Sequence, residues 1–97
     1  MDLSKEGIAK SCAECGIPAY MVGGIELWIV NGIEPGSFLS AVIHNDLFGA
    51  VGRADSTNRN LLWNYCNFFY NYAPSPCFGS REKANKWKGI QKEIVNG

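Results

Sequence analysis

Residues 61–72 set the hardest condition that this chain places on its fold. Leu61, Leu62, Trp63, Tyr65, Cys66, Phe68, Phe69, Tyr70 and Tyr72 crowd into about three helical turns. A helix here is apolar around most of its circumference. Leu61, Tyr65, Phe68 and Tyr72 form one stripe and Leu62, Cys66 and Phe69 the next, while Trp63 and Tyr70 lie away from both. Such a helix is central to its domain or buried on two sides. The chain has 97 residues, and a domain of that size buries only around 60–70% of its unfolded surface. Two-sided burial therefore points to a homo-oligomer in which Trp63, Tyr65, Phe69 and Tyr70 meet a second copy.

The rest of the chain reads as short helices separated by Gly and Pro, which predicts an all-α fold: a compact bundle of four to five short helices in a single domain over 1–97. The first helix covers about 3–15, with Gly16 just beyond its end and Pro18 preventing continuation. The second runs over about 18–31 and is closed by Asn31-Gly32. Its Gly23 and Gly24 call for tertiary packing or close approach of a neighbouring backbone. A β-hairpin over 25–33 is the alternative there. Ser37 is expected to cap a third helix over about 38–53, whose Leu39, Ile43, Leu47 and Ala50 form a buried stripe widened by Phe38, Val42 and Val51. Asp55, Ser56 or Thr57 caps the fourth helix, reaching Tyr72, and Ala73-Pro74-Ser75-Pro76 ends it. Ser80 caps a fifth over about 81–95, buried through Ala84, Trp87, Ile90 and Ile94.

Nine basic residues balance nine acidic ones, which argues against a general nucleic-acid coat protein. The balance is uneven along the chain. Residues 1–50 carry six acidic side chains against two basic, and residues 81–93 carry five basic against two acidic. The start, Met1-Asp2-Leu3-Ser4-Lys5-Glu6, lacks an apolar signal core, and no apolar run reaches the roughly 20 residues of a membrane span. A cytoplasmic protein with no membrane partner is expected.

Cys12 and Cys15 have the spacing of a zinc knuckle or a redox dithiol. Cys66, Cys77 and His44 are too scattered to suggest a second knuckle, and no βαβ context supports redox chemistry. The pair reads as small buried or half-buried thiols on a helix, with no metal and no cofactor. Catalysis has no better footing. Ser40, His44 and Asp46 could suggest a triad, but on one continuous helix Asp46 points about 200° away from His44. The stronger candidate is the joint between the third and fourth helices, a ligand site at residues 53–64 with His44 and Asp46 adjoining. Its proposed members are His44, Asn45, Asp46, Arg53, Asp55, Asn58, Arg59 and Asn64. Arg53 and Arg59 would grip a phosphate or carboxylate at two points, an aromatic ring would stack on a planar base, and the asparagines would read its edge. The bland alternative is a structural network of ion pairs and caps.

The run from Gly32-Ile33-Glu34-Pro35-Gly36-Ser37-Phe38-Leu39-Ser40-Ala41-Val42 through Asn45-Asp46-Leu47 to Arg53-Ala54-Asp55 and Asn58 has a second motif after it. That motif is Tyr70-Asn71-Tyr72-Ala73-Pro74-Ser75-Pro76-Cys77-Phe78-Gly79-Ser80, with Trp87 beyond. Together they resemble a family of small proteins of tailed phages and prophages, over residues 17–88, with residues 1–16 a peripheral helix outside the match. Phe78 stands where the family pattern often has tryptophan. The resemblance implies a phage accessory product acting in the cytoplasm of an infected or lysogenic bacterium. By analogy with other small phage proteins that lack enzyme motifs, it implies a non-enzymatic anti-defence role: sequestering an anionic nucleotide-type signal, or else inhibiting a host defence protein. A small virion or assembly component is the third expectation.

Overall fold

The computed structural model describes residues 3–90. Its elements are α1 (Lys5–Glu14), α2 (Ala19–Asn31), α3 (Ser37–Ile43), α4 (Leu47–Arg53), a 3-10 turn at Asn58–Asn60, α5 (Leu62–Tyr72), a second 3-10 turn at Ser75–Cys77, and α6 (Arg81–Lys86). The fold is all-α, and the described residues contain no strand. Residues 25–31 are helical, so the hairpin alternative is set aside.

Local chemistry sets most boundaries. The Ser4 hydroxyl accepts from the Gly7 N–H at 3.1 Å and starts α1. Gly16 ends it at φ 78°, and the Ile17 N–H returns to the Cys12 carbonyl at 3.0 Å. Gly32, at φ 69°, closes α2 in the same way. The Ser80 hydroxyl accepts from the Lys83 N–H at the start of α6. Ser37 is a different case: Gly36 occupies the capping position, and Ser37 is already the first helical residue.

The predicted third helix is two helices. Asn45 adopts a left-handed conformation, φ 61°, and the Asp46 N–H bonds back to the Ala41 carbonyl at 2.8 Å. The Asp46 carboxylate then accepts from the Gly49 N–H at 2.9 Å and opens α4. The break alters which side chains face inward. Leu39, Ile43 and Ala50 stay buried, whereas Leu47 and Val51, expected on the same stripe, are each 58% exposed. The fourth predicted helix also starts late: Asp55 caps the 3-10 turn through the Asn58 N–H at 2.7 Å, and the α-helix begins at Leu62. α6 stops at Lys86 rather than continuing through Trp87; Ile94 and the rest of that stripe beyond residue 90 lie outside the described residues.

Ile8, Cys12, Ile25, Ile29, Ile43, Tyr65, Phe68 and Phe69 form the centre of the core. α1, expected at the periphery, therefore supplies two central side chains. Phe38 packs edge-on against Tyr65, with ring centroids 5.1 Å apart. Two indoles fasten the C-terminal segment. Trp28 Nε1 donates to the Cys77 carbonyl at 3.0 Å, and Trp87 Nε1 donates to the Trp28 carbonyl at 2.9 Å. At Gly89, φ 95°, a Cβ would lie 2.5 Å from the Val30 carbonyl oxygen, so only glycine fits where that segment crosses the end of α2. No such approach explains Gly23, which faces open space; Gly24 meets only the Leu39 and Pro35 side chains. The principal extents are 39 × 28 × 19 Å. The smallest is about two helix diameters, so helices lie in roughly two layers and each keeps one side near solvent.

Candidate functional site

The polar residues expected to form one pocket divide into two structural anchors and a groove. The first anchor joins Asp55, Tyr20, Asn58 and Tyr65. Tyr20 Oη donates to Asp55 Oδ2 at 2.6 Å, and Asn58 Nδ2 reaches Tyr20 Oη at 3.4 Å. Tyr65 Oη donates to Asn58 Oδ1 at 2.6 Å. The Tyr20 hydrogen bond, helped by the Asn58 backbone N–H, holds the Asp55 carboxyl below its ordinary range. Burial raises the Tyr65 hydroxyl well above the ordinary phenol value. Asn58 is 2% exposed and both atoms of its amide are bonded within the chain, so it anchors the core. In the second anchor, Asn64 Nδ2 donates to the Cys15 carbonyl at 2.9 Å and ties α5 to the end of α1. Tyr20 was missed by sequence reasoning, because it lies 35 positions from Asp55 with no local pattern to link them.

His44, Asp46 and Arg53 do come together, along a polar groove of about 350 Å³ shared with Glu34, Ser37, Ser40 and Arg81. The break at Asn45 turns α4 across the end of α3 and brings Arg53 to the same rim as the first residue of α6. Arg53 Nη1 lies 3.8 Å from Asp46 Oδ2, and both side chains are about half exposed. Arg81, which carries no pattern that marks it in the sequence, has no ion pair among the described residues. Arg59 is exposed and borders none of the grooves described here, so the two-point grip expected of Arg53 and Arg59 is not assembled. Ser40, His44 and Asp46 share the groove, but their side chains do not hydrogen-bond one another: the Ser40 hydroxyl donates to the Pro35 carbonyl at 3.0 Å, and Asp46 serves as a cap.

No family model, curated protein or solved structure matches this chain.

A second recess, of about 330 Å³, brings Arg53, Asp55 and Asn58 together with Tyr20 and Ser37, and a further cavity is apolar. A groove of about 420 Å³ runs beside α5, floored by Phe69 and Phe78 and walled by Trp63 and Tyr70, with Val42, Asn45, Asn67 and Asn71 along its edges. Of the four expected interface residues, Trp63 and Tyr70 are 73% and 79% exposed, as their separate position on the helix implied. Tyr65 is wholly enclosed, 0% exposed, and Phe69, 2% exposed, shows only at the floor of the groove; the chain's own α3 and the Phe78 segment cover them. Cys12 and Cys15 are both buried, and burial pushes the Cys12 thiol up to about 12. Among the described residues, no three metal-ligating side chains cluster. No helix there is long and apolar enough to cross a membrane.

Proposed function

We propose that this chain is a phage-encoded accessory protein that acts by binding, without a catalytic step, and that it sequesters a small anionic, nucleotide-type signal. The phage origin is supported by the motif resemblance over residues 17–88. The observation that carries the binding reading is the convergence of Arg53 and Arg81 on one polar groove with His44 and Ser37. Arg81 is unpaired among the described residues, and Arg53 is held only by the long contact to Asp46. Two guanidinium forks are thus open for bidentate contact with phosphate oxygens. Glu34 and Asp46 occupy the same rim and would repel a bare anion. They accept hydrogen bonds, however, which suits a ligand with hydroxyl or amino donors beside its phosphate. That combination is a nucleotide. A volume of about 350 Å³ falls at the small end of ligand pockets, roughly 300–1,000 Å³.

Calorimetry against a panel of cyclic and linear nucleotides tests the reading. Micromolar or tighter binding is expected, weakened at least about tenfold by Arg81→Ala or Arg53→Ala, the loss of one charged hydrogen-bonding partner. Arg59→Ala should leave affinity within about twofold, because Arg59 lies off the groove; so exposed a charge contributes little. Absence of heat for every member removes the reading. The exposed Trp63 and Tyr70 favour a second reading, an inhibitor that docks on a host defence protein.

A further inference from the structure

The apolar groove beside α5 does not end at α5. Val42, Asn45 and Cys66 line it and also line a small gap of about 40 Å³ where Leu47 of α4 meets Leu62. The gap carries the apolar surface from α5 as far as Leu47 of α4, a helix on which Leu47 and Val51 are exposed and Phe48 is 87% exposed. At about 200 Å² per aromatic side chain, Trp63, Tyr70 and Phe48 present on the order of 500 Å². A stable interface buries roughly 800 Å² per partner, so the strip as a whole approaches that size.

We infer that a second copy of this chain covers the strip, in an antiparallel two-fold arrangement whose axis passes between Cys66 and Asn67. The charge pattern selects this occupant. No residue from Asn60 to Ser80 carries a charge. Along α5 a partner chosen by electrostatic complementarity finds no charge to read. The cation that borders the groove is Lys83, over the Phe78 ring at 5.6 Å and off α5, so a two-fold contact centred on α5 sets no like charges of that helix together. The polar groups on α5 beside these rings are the amides of Asn67 and Asn71, which bond to each other: Asn71 Nδ2 donates to Asn67 Oδ1 at 2.7 Å, so they present no unpaired charge to a second copy. Trp63 and Tyr70 lie seven positions, about two helical turns, apart on one face, with Cys66 and Asn67 between them on that face. Antiparallel packing therefore seats Trp63 of one copy against Tyr70 of the other, and the smaller Cys66 and Asn67 let the helices approach at the crossing.

Sedimentation equilibrium from low-micromolar to near-millimolar concentration is the test, paired with the rate at which excess maleimide modifies Cys66. The expected result is a mass rising to twice 10.7 kDa and a Cys66 rate that falls as the protein becomes more concentrated. Trp63→Glu and Tyr70→Glu should each raise the dissociation constant a hundredfold or more. Their helical circular dichroism should be unchanged, since both side chains are exposed. A wild-type monomer throughout, or a dimer that survives both substitutions with Cys66 still reactive, overturns the inference. Nucleotide binding at the polar groove is scored separately, so either conclusion can fail alone.

Discussion

Tyr65 lies wholly inside the protein, and its hydroxyl has one partner, Asn58 Oδ1. Such a bond contributes a net ~1 kcal/mol, but removing one member strands the other and costs about 1–3 kcal/mol. Asn58→Ala is therefore expected to destabilise the fold by about 2–3 kcal/mol, Tyr65→Phe by about 1–2 kcal/mol, and the double variant by clearly less than their sum. Urea unfolding of all three variants measures the coupling. Strict additivity would show that the 2.6 Å contact contributes nothing. The asparagines at 58 and 64 were visible in the sequence as a polar cluster beside aromatics. Their roles were not, because Asn58 meets Tyr20 and Asn64 meets Cys15 only after distant segments pack.

The break between α3 and α4 follows from two adjacent residues. Asn45 tolerates the left-handed backbone better than most side chains, and Asp46 caps the next helix. Asn45→Gly should therefore be neutral or stabilising. Asn45→Val, with a branched Cβ at φ 61°, should cost about 1–2 kcal/mol or more. Thermal unfolding checks both, and a harmless Asn45→Val would mean that the helix runs through. Asn-Asp is a legible stop-and-start signal, but the hydrophobic spacing of Leu39, Ile43, Leu47 and Ala50 masks it, since a continuous helix would bury all four and the broken one still buries three. The terminal caps at Gly16, Gly32 and Ser80 were readable because each depends on backbone groups within a few positions. The lateness of α5 was not readable: Asp55 can cap an α-helix or a 3-10 turn, and Tyr20 and Asn58 hold it to the latter.

Across the whole molecule, Cys12 and Cys77 are completely enclosed, and burial raises each thiol from 9.0 to about 12. The unfolded chain therefore loses these protons first. Their contribution to stability is complete below pH 9.0, the ordinary value from which they are raised, and declines as pH rises towards 12. The urea midpoint should fall between pH 8 and 10.5, and fall less in the Cys12→Ala/Cys77→Ala double variant. An identical pH slope in the two proteins would refute burial of those thiols.

From its residues alone, this chain determined its class and most of its punctuation. Helix-period spacing, capping hydroxyls and left-handed glycines act within one or two turns, and the apolar density of residues 61–72 demanded a central helix. Tertiary packing alone decided which side of that helix is spent inside the chain and which remains outside. It also set Arg81 opposite Arg53, and Tyr20 upon Asp55. Those pairings join positions far apart in the chain, and no local periodicity carries the geometry by which a two-layer fold makes them neighbours.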